Sequence, residues 1–111
     1  MPELGLVEKF KPTYDLADIK RLVGEDACKV SMGAIATAHA LGITETQLKE
    51  GIQLLENKDF YKSVTQFNNH QVWQDVYKKR IYDHNIYIKL KIATVNGQLL
   101  IITSFKKDTS A

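Results

Sequence analysis

The sequence predicts an α+β fold in which two or three N-terminal helices pack on a small antiparallel β-sheet. Three observations lead to this fold class. Apolar residues recur with a helical period in the first half of the chain and with a period of two in the second half. Asn96 and Gly97 stand between two alternating apolar segments, as in a β-hairpin turn. The length of 111 residues suits one domain, which we assign to residues 1–111.

Two helices are predicted first, each with a residue that can cap its N-terminus and a glycine that can end it. In the segment YDLADIKRLVG, Asp15 is the cap and Gly24 is the stop. A short extended segment at residues 29–30 follows. In the segment SMGAIATAHALG, Ser31 is the cap and Gly42 is the stop.

A third helix is predicted from a capping box and an amphipathic pattern. Thr44 and Gln47 have the spacing at which each side chain can bond the other residue's backbone amide. Leu48, Ile52 and Leu55 recur at positions that share one helical face. The helix is therefore expected to bury that face.

The second half of the chain predicts four strands, because apolar and polar residues alternate there. The predicted strands are residues 60–66, 72–79, 85–95 and 98–107. Together with the helices that precede them, these strands complete the α+β architecture.

A two-residue type I′ turn at Asn96-Gly97 also predicts the register of the last hairpin. Tyr87 then faces Lys106 on one face of the sheet. The same face carries two further pairs, Lys89–Ser104 and Lys91–Ile102. The other face carries the predicted core pairs, Ile88–Phe105, Leu90–Thr103 and Ile92–Ile101. A bulge would shift this pairing by one residue.

The alternation permits one open sheet face that carries Lys62, Gln74, Tyr87 and Lys106 together. On the first strand, Lys62 is predicted to share its face with Phe60. Two ammonium groups, an amide and a phenol on one face would suit contacts to phosphates and bases. Taken singly, each of these residues would be an ordinary solvent-facing or packing residue of a strand.

The net charge of +2 conceals an uneven distribution of charge. Residues 1–59 hold seven Lys or Arg and ten Asp or Glu, whereas residues 60–111 hold eight and three. This asymmetry favours a polyanionic partner for the second half of the chain. A solvated lysine-rich sheet surface is the alternative explanation.

The sequence gives no sign of a metal site or a bound cofactor. Its one cysteine, Cys28, can form no internal disulfide and no structural zinc site by itself. We find no phosphate loop, nucleotide fingerprint or cluster of metal ligands. Because no segment resembles a membrane span or a secretory signal, a cytoplasmic location is expected.

Four short motifs follow one another along the chain, namely DFYKS, WQDVYKKR, IYIKL and SFKK. Through them the chain resembles the MqsR toxin family, the motility quorum-sensing regulators of bacterial toxin–antitoxin pairs. The resemblance extends over about residues 12–107. It implies a fold like that of the RelE-type bacterial ribonucleases, with helices packed on a small antiparallel sheet.

The resemblance also implies an activity and a set of site residues. Members of the family are mRNA interferases that cut single-stranded RNA selectively, preferring GCU-type sites, without needing the ribosome. By motif position, the implied catalytic residues are Lys62, Gln74, Tyr87 and Lys106. Residues beside them are expected to bind RNA, namely Tyr61 and the KKR cluster of Lys78, Lys79 and Arg80.

The resemblance implies one protein partner besides the mRNA substrate. This partner is an MqsA-like antitoxin, a zinc-containing, DNA-binding protein. The zinc would belong to the antitoxin, because this chain lacks the ligands. Any contact with DNA would occur only through the toxin–antitoxin complex.

The simplest reaction for these residues is attack by the RNA 2′-OH on the adjacent phosphate, which needs no metal ion. We expect Lys62 and Lys106 to stabilise the developing charge, with one of them serving as base or acid. Tyr87 would transfer a proton or contact the phosphate, and Gln74 would orient the phosphate or a base. His70 is the alternative general base.

Two other functions compete with cleavage. The last hairpin, ATVNGQLLI, is a few residues longer than the family pattern, and a histidine found there in some members has no counterpart. A non-catalytic module that binds RNA or an antitoxin is therefore the main alternative. A general RNA-binding sheet is the second, but the chain has no aromatic motif of the kind found in RNA-recognition domains.

Overall fold

The computed structural model describes residues 6–109 and confirms the α+β fold. Residues 1–5 and 110–111 of the predicted single domain lie outside the described residues. The helices are α1 (Leu16–Gly24), α2 (Met32–Ala40) and α3 (Glu45–Gln53), with a 3-10 turn at Asn57–Asp59. The strands are β1 (Glu8–Lys9), β2 (Cys28–Val30), β3 (Phe60–Gln66), β4 (Asn69–Ile81), β5 (His84–Thr94) and β6 (Gln98–Lys107).

Within residues 6–109 the strands form one sheet in the order β1-β3-β4-β5-β6-β2. Neighbouring strands are antiparallel except at one edge, where β2 runs parallel to β6. The short extended segment predicted at residues 29–30 is therefore a strand of this sheet. The four longer strands lie where the alternation predicted them, although β4 is longer at both ends.

The predicted helix caps are confirmed. The Asp15 carboxylate caps α1, and the Ser31 hydroxyl caps α2, each by accepting a backbone N–H bond from the first turn. At α3, the backbone amide of Gln47 donates to the Thr44 hydroxyl at 3.1 Å. The backbone amide of Thr44 donates to the side-chain oxygen of Gln47 at 2.9 Å. These bonds satisfy backbone groups that a helix end otherwise leaves open.

The core lies between the helices and one face of the sheet. Leu48, Ile52 and Leu55, which the amphipathic pattern predicted to be buried, have no exposed surface. They belong to the same cluster as buried residues of β5 and β6, which include Ile88, Leu90, Leu100, Ile102 and Phe105. The opposite face of the sheet, which we call the outer face, carries the alternate residues of the strands.

Gly51 lets α3 lie close to the sheet. A Cβ atom at this position would be 3.0 Å from Cδ1 and 3.1 Å from Cγ2 of Ile81, at the end of β4. Glycine is unfavourable within a helix, but here a larger residue would displace a core side chain.

The predicted turn of the last hairpin is wrong in its length. Thr94 pairs with Gln98, so the loop contains three residues instead of two. Asn96 and Gly97 have φ values of 53° and 110°, which place both in the left-handed region. Val95, which a two-residue loop would pair with Gln98, is instead an exposed loop residue.

The register near this turn differs correspondingly from the prediction. Leu90 pairs with Ile102, Lys91 with Ile101 and Ile92 with Leu100. The predicted pairs Leu90–Thr103, Lys91–Ile102 and Ile92–Ile101 are therefore wrong. The observed register buries Leu100 and Ile102 completely. The predicted register would have placed Ile101 and the polar Thr103 in the core instead.

A β-bulge at Thr103 restores the predicted register in the second part of the hairpin. The pairing shifts by one residue between Lys89 and Leu90, so that Lys89 faces Ser104. Beyond the bulge, Ile88 faces Phe105 and Tyr87 faces Lys106, as predicted. One extra residue on one strand produces this kind of shift.

A second irregularity separates Phe60 from Lys62, which were predicted to share a face. Phe60 pairs with Tyr77, but Lys62 pairs with Val76, so Tyr61 is the extra residue. The Phe60 ring meets the Tyr77 ring edge-on, with centroids 5.7 Å apart, on the core side. Lys62 consequently projects from the outer face.

The helical layer also covers part of the free edge of β6. The Ser31 hydroxyl donates to the backbone carbonyl of Thr103 at 3.2 Å. One helical turn and a half further on, the Thr37 hydroxyl donates to the carbonyl of Phe105. Both carbonyls lie beyond the segment of β6 that pairs with β2.

No helix within residues 6–109 is long and apolar enough to cross a membrane. Over the same range, no group of three or more His, Cys, Asp or Glu side chains is arranged to hold a metal ion.

Candidate functional site

A cavity of about 310 Å³ opens on the outer face of the sheet, at the end where β5 begins and β6 ends. Three of the four predicted catalytic residues line it, namely Lys62, Tyr87 and Lys106. The predicted RNA-binding residues Tyr61 and Lys78 line it as well. Its remaining lining residues are Lys107, Asp108 and Thr109. We call this cavity the lysine pocket.

Tyr87 lies at the centre of a row of residues that crosses three strands. Its cross-strand partner on β4 is Lys78, and its partner on β6 is Lys106. The Lys106 ammonium lies 5.2 Å from the centroid of the Tyr87 ring. An ammonium near an aromatic face is attracted by the electrons of the ring, which helps to hold the side chain in place. The phenol is therefore flanked by two lysines.

Tyr61 completes the pocket from the bulge in β3. The Lys78 ammonium lies 4.0 Å from the centroid of its ring, and the Lys62 ammonium lies 5.4 Å from it. The side chain nevertheless remains 45% exposed. An exposed ring beside two cations can stack on a base while the cations contact phosphates.

Two lysines of the pocket form ion pairs with carboxylates. Lys62 Nζ lies 2.9 Å from Glu8 Oε1 on β1, and both side chains are largely covered. Lys78 Nζ lies 3.5 Å from Asp108 Oδ2, just after β6. The positive charge of the pocket is therefore partly compensated within the chain.

Gln74 does not line the lysine pocket. It lies on the outer face four residues before Lys78, which corresponds to about 13 Å along an extended strand. Its side chain is only 7% exposed, and its Oε1 atom accepts a hydrogen bond from the hydroxyl of Thr103 at the β-bulge. The structure thus places Gln74 outside the pocket that the other three predicted catalytic residues line.

The three cations of the KKR cluster have different surroundings. All three line a cavity of about 180 Å³ next to the lysine pocket, and Lys78 also lines the lysine pocket itself. Lys79 Nζ lies 3.3 Å from Asp59 Oδ2, and Arg80 donates to the Asn85 side chain at 3.3 Å. Of the KKR cluster, only Lys78 therefore lines the lysine pocket.

His70, the alternative general base, is exposed at the far end of β4. It precedes Lys78 by eight residues, a separation of roughly 26 Å along an extended strand. From there it cannot reach a phosphate that is bound in the lysine pocket.

A buried polar network supports β4 from the core side. Asp75 is fully buried, and its carboxylate accepts hydrogen bonds from the backbone amides of Thr13 and Tyr14 at 2.9–3.1 Å. Burial, and secondarily the charge of Asp75, raises the pKa of Tyr77 to about 12. Tyr77 is only 1% exposed, so it cannot stack on a base, and it serves as a neutral packing residue.

Sequence reasoning missed the two carboxylates that pair with lysines of the pocket, Glu8 and Asp108. β1 is two residues long, too short to show any periodicity, and the pairing of Glu8 with Lys62 spans 54 residues of sequence. Asp108 directly follows the SFKK motif, so its position next to a predicted site residue was the available signal.

The chain is similar in sequence to a known protein family and to one of its members. Residues 11–107 match the family described as "Motility quorum-sensing regulator, toxin of MqsA". The chain is 35% identical over 101 residues to the mRNA interferase toxin MqsR of Escherichia coli (strain K12). This alignment covers 91% of the present chain and 99% of that protein. The chain therefore belongs to the MqsR toxin family.

Proposed function

We propose that this chain is the toxin of a bacterial type II toxin–antitoxin pair and that it is an endoribonuclease acting on mRNA. Its family membership and its identity to an mRNA interferase toxin support this proposal. The observation that carries the catalytic part is the row Lys78–Tyr87–Lys106, which places a phenol between two cations beside an open pocket.

The proposed reaction is cleavage of single-stranded RNA without a metal ion and without the ribosome. The 2′-oxygen of one nucleotide attacks the adjacent phosphorus and loses its proton to a base. The bond from phosphorus to the 5′-oxygen breaks, and that oxygen receives a proton from an acid. The products are a 2′,3′-cyclic phosphate and a 5′-hydroxyl. The protein must therefore supply a base, an acid and positive charge.

The lysine pocket offers groups for each of these roles. Lys62 and Lys106 would stabilise the negative charge of the pentavalent phosphorane, and one of them would also transfer a proton. Tyr87 would donate a hydrogen bond or a proton from its hydroxyl. Fixed donors that point at developing charge commonly contribute about 10²–10³ in rate each.

Binding of the substrate would extend beyond the reacting phosphate. Tyr61 would stack on a base, and Lys78 would contact a neighbouring phosphate. Lys79 and Arg80 would meet the RNA backbone further along, at the neighbouring cavity. Selectivity for GCU-type sites would come from base contacts made beside the pocket.

The position of Gln74 favours an indirect role in catalysis over contact with substrate. Its buried amide oxygen accepts the hydroxyl of Thr103, the extra residue at which β6 changes register. The same register change brings Lys106 opposite Tyr87. Gln74 would therefore act as a positioning residue for the pocket.

The natural partner would be an MqsA-like antitoxin, because the family description names MqsA. We expect this antitoxin to contain zinc and to bind DNA. The toxin would act in the cytoplasm, where its mRNA substrate lies, and would reach DNA only in complex with the antitoxin. Growth arrest on expression, relieved when the antitoxin is expressed with it, would test this partnership.

The alternative of a non-catalytic module finds little support in the position of the last hairpin loop. The longer hairpin is the reason for that alternative, but its loop at residues 95–97 begins eight residues after Tyr87, just beyond the end of β5. That separation is about 26 Å in an extended strand, so the loop is remote from the lysine pocket. The pocket itself retains Lys62, Tyr87 and Lys106.

The decisive experiment is cleavage of a defined single-stranded RNA by the purified protein in EDTA, with the product ends identified by mass spectrometry. We expect discrete cuts, enriched at GCU sites, that end in 2′,3′-cyclic phosphate. Intact RNA in the presence of folded protein would contradict the proposal. Cleavage that required a divalent cation would contradict its mechanism.

A further inference from the structure

Two lysines of the lysine pocket are paired with carboxylates that would compete with phosphate for them. Glu8 holds Lys62 at 2.9 Å, and Asp108 holds Lys78 at 3.5 Å. Both lysine ammoniums also approach the ring of Tyr61, at 5.4 and 4.0 Å from its centroid. Both ion pairs therefore lie next to the ring that we propose to stack on a base.

Both carboxylates lie outside the segment that matches the family. The match extends over residues 11–107, whereas Glu8 precedes it and Asp108 follows it. Their backbones are nevertheless fixed to the sheet. Glu8 pairs with Val64 of β3, and the backbone amide of Asp108 donates to the carbonyl of Asn85 at 2.7 Å.

We infer that Glu8 and Asp108 limit the affinity of the lysine pocket for RNA by competing with phosphate for Lys62 and Lys78. This inference rests on the proposed function. A phosphate that approaches either lysine must displace a carboxylate or share the ammonium with it. The side chains of Lys62 and Asp108 are 22% and 16% exposed, so water screens these pairs less than it screens fully exposed ones.

The competition has a consequence for selectivity. Pre-paired lysines bind any polyanion weakly, so RNA that offers only phosphates gains little from them. RNA that also stacks a base on Tyr61 has an additional source of affinity. The carboxylates thereby increase the relative weight of base contacts over backbone contacts.

The expected effect can be stated in numbers. Partly exposed ion pairs contribute amounts that correspond to about 1.5- to 5-fold in an equilibrium constant, so each neutral variant should tighten binding by that factor. Each lysine that loses its carboxylate partner should also steepen the dependence of log affinity on log salt concentration by up to about 0.7.

The test measures the affinity of the full chain for a single-stranded 2′-O-methyl RNA containing GCU, which lacks the attacking hydroxyl. Fluorescence anisotropy at several salt concentrations compares the wild type with Glu8→Gln and Asp108→Asn. Glu45→Gln is the matched control. Glu45 pairs with Lys49 at 3.4 Å in the helical layer, and its replacement changes the net charge by the same amount as the two test variants. Glu8→Gln is also measured in a Lys62→Ala background.

Tighter binding and a steeper salt dependence for Glu8→Gln and Asp108→Asn, but not for Glu45→Gln, would support the inference. The effect of Glu8→Gln should then disappear in the Lys62→Ala background. Binding equal to or weaker than that of Glu45→Gln would overturn it. If that result came with cleavage lost in Lys62→Ala, only the inference would fail. Cleavage by Lys62→Ala at the wild-type rate would instead contradict the role proposed for Lys62.

Discussion

Tyr87 faces Lys106 because a β-bulge at Thr103 shifts β6 by one residue relative to β5. With the pairing that starts at the turn, Tyr87 would face Phe105, and Lys106 would point toward the core. The bulge allows Phe105 to be buried and Lys106 to remain on the outer face at the same time. The proposed catalytic pair thus depends on one irregular residue of a strand.

Replacement of Lys106 by alanine should lower the rate of RNA cleavage by about 10²–10³, because a cation near the phosphorane is lost. Single-turnover cleavage of a defined RNA, at saturating protein, measures this rate. Lys29→Ala is the matched control, since Lys29 is an exposed strand lysine on β2, away from the pocket. A wild-type rate for Lys106→Ala would exclude Lys106 from the chemistry.

Replacement of Tyr87 by phenylalanine separates the role of the hydroxyl from that of the ring. The ring and its contact with the Lys106 ammonium should persist. If the hydroxyl transfers a proton or contacts the phosphate, the cleavage rate should fall by about 10²-fold while RNA affinity changes little. Measuring the rate and the affinity separately tests this. Unchanged cleavage would assign Tyr87 to packing alone.

Replacement of Thr103 by valine should destabilise the fold by about 1–3 kcal/mol, because it leaves the buried Gln74 amide oxygen without its hydroxyl donor. The double variant Gln74→Met with Thr103→Val should lose less than the sum of the two single variants, since both polar partners are then removed. Urea unfolding measures these free energies. Strict additivity would show that the two side chains do not interact.

Replacement of Gly51 by alanine should lower stability by up to about 2 kcal/mol, because the added methyl group would lie 3.0 Å from Ile81 Cδ1 and the packing strain of about 1–3 kcal/mol exceeds the gain of about 1 kcal/mol in helix propensity. Gly33→Ala on α2 is the control, since a Cβ there meets nothing within 4 Å. Combining Gly51→Ala with Ile81→Val, which removes Cδ1, should restore part of the loss. Thermal or urea unfolding measures these stabilities. If Gly51→Ala were as stable as the wild type, the expected clash with Ile81 would be contradicted.

The raised pKa of Tyr77 predicts a loss of stability at alkaline pH. The folded pKa of about 12 exceeds the ordinary value of 10.0, so the folded state retains this proton longer than the unfolded state. The contribution of this protonated phenol to the free energy of unfolding is complete below pH 10 and is lost as the pH rises toward 12. It amounts to at most about 2–3 kcal/mol. Urea unfolding across this window should show a smaller decline for Tyr77→Phe. Equal declines in both proteins would contradict the assignment.

The helices and their ends were predictable because the signals are local. The caps at Asp15 and Ser31 and the Thr44–Gln47 capping box each involve residues within one helical turn. Their signals therefore lie in residues that are close together in the sequence. The strands of the second half were predictable from alternation alone. β1 was not, because two residues contain no period and its pairing with β3 is a tertiary contact.

The bulges explain why the site was predicted only in part. The pairing of Tyr87 with Lys106 was predicted correctly, but from a two-residue turn that is wrong. The bulge at Thr103 shifts the register by one residue and thereby compensates for that error. The position of Tyr61 depends on a similar irregularity, which is selected by packing of Phe60 on Tyr77. Burial across the whole core decides such shifts, and local sequence does not contain that information.

The hydroxyls of Ser31 and Thr37 have a consequence for association with other chains. They occupy the carbonyls of Thr103 and Phe105 on the free edge of β6, next to Lys106. An incoming strand would have to break both bonds before it could extend the sheet there. The strand that carries the proposed catalytic lysine is thus less open at this edge to aggregation and to strand addition by a protein inhibitor.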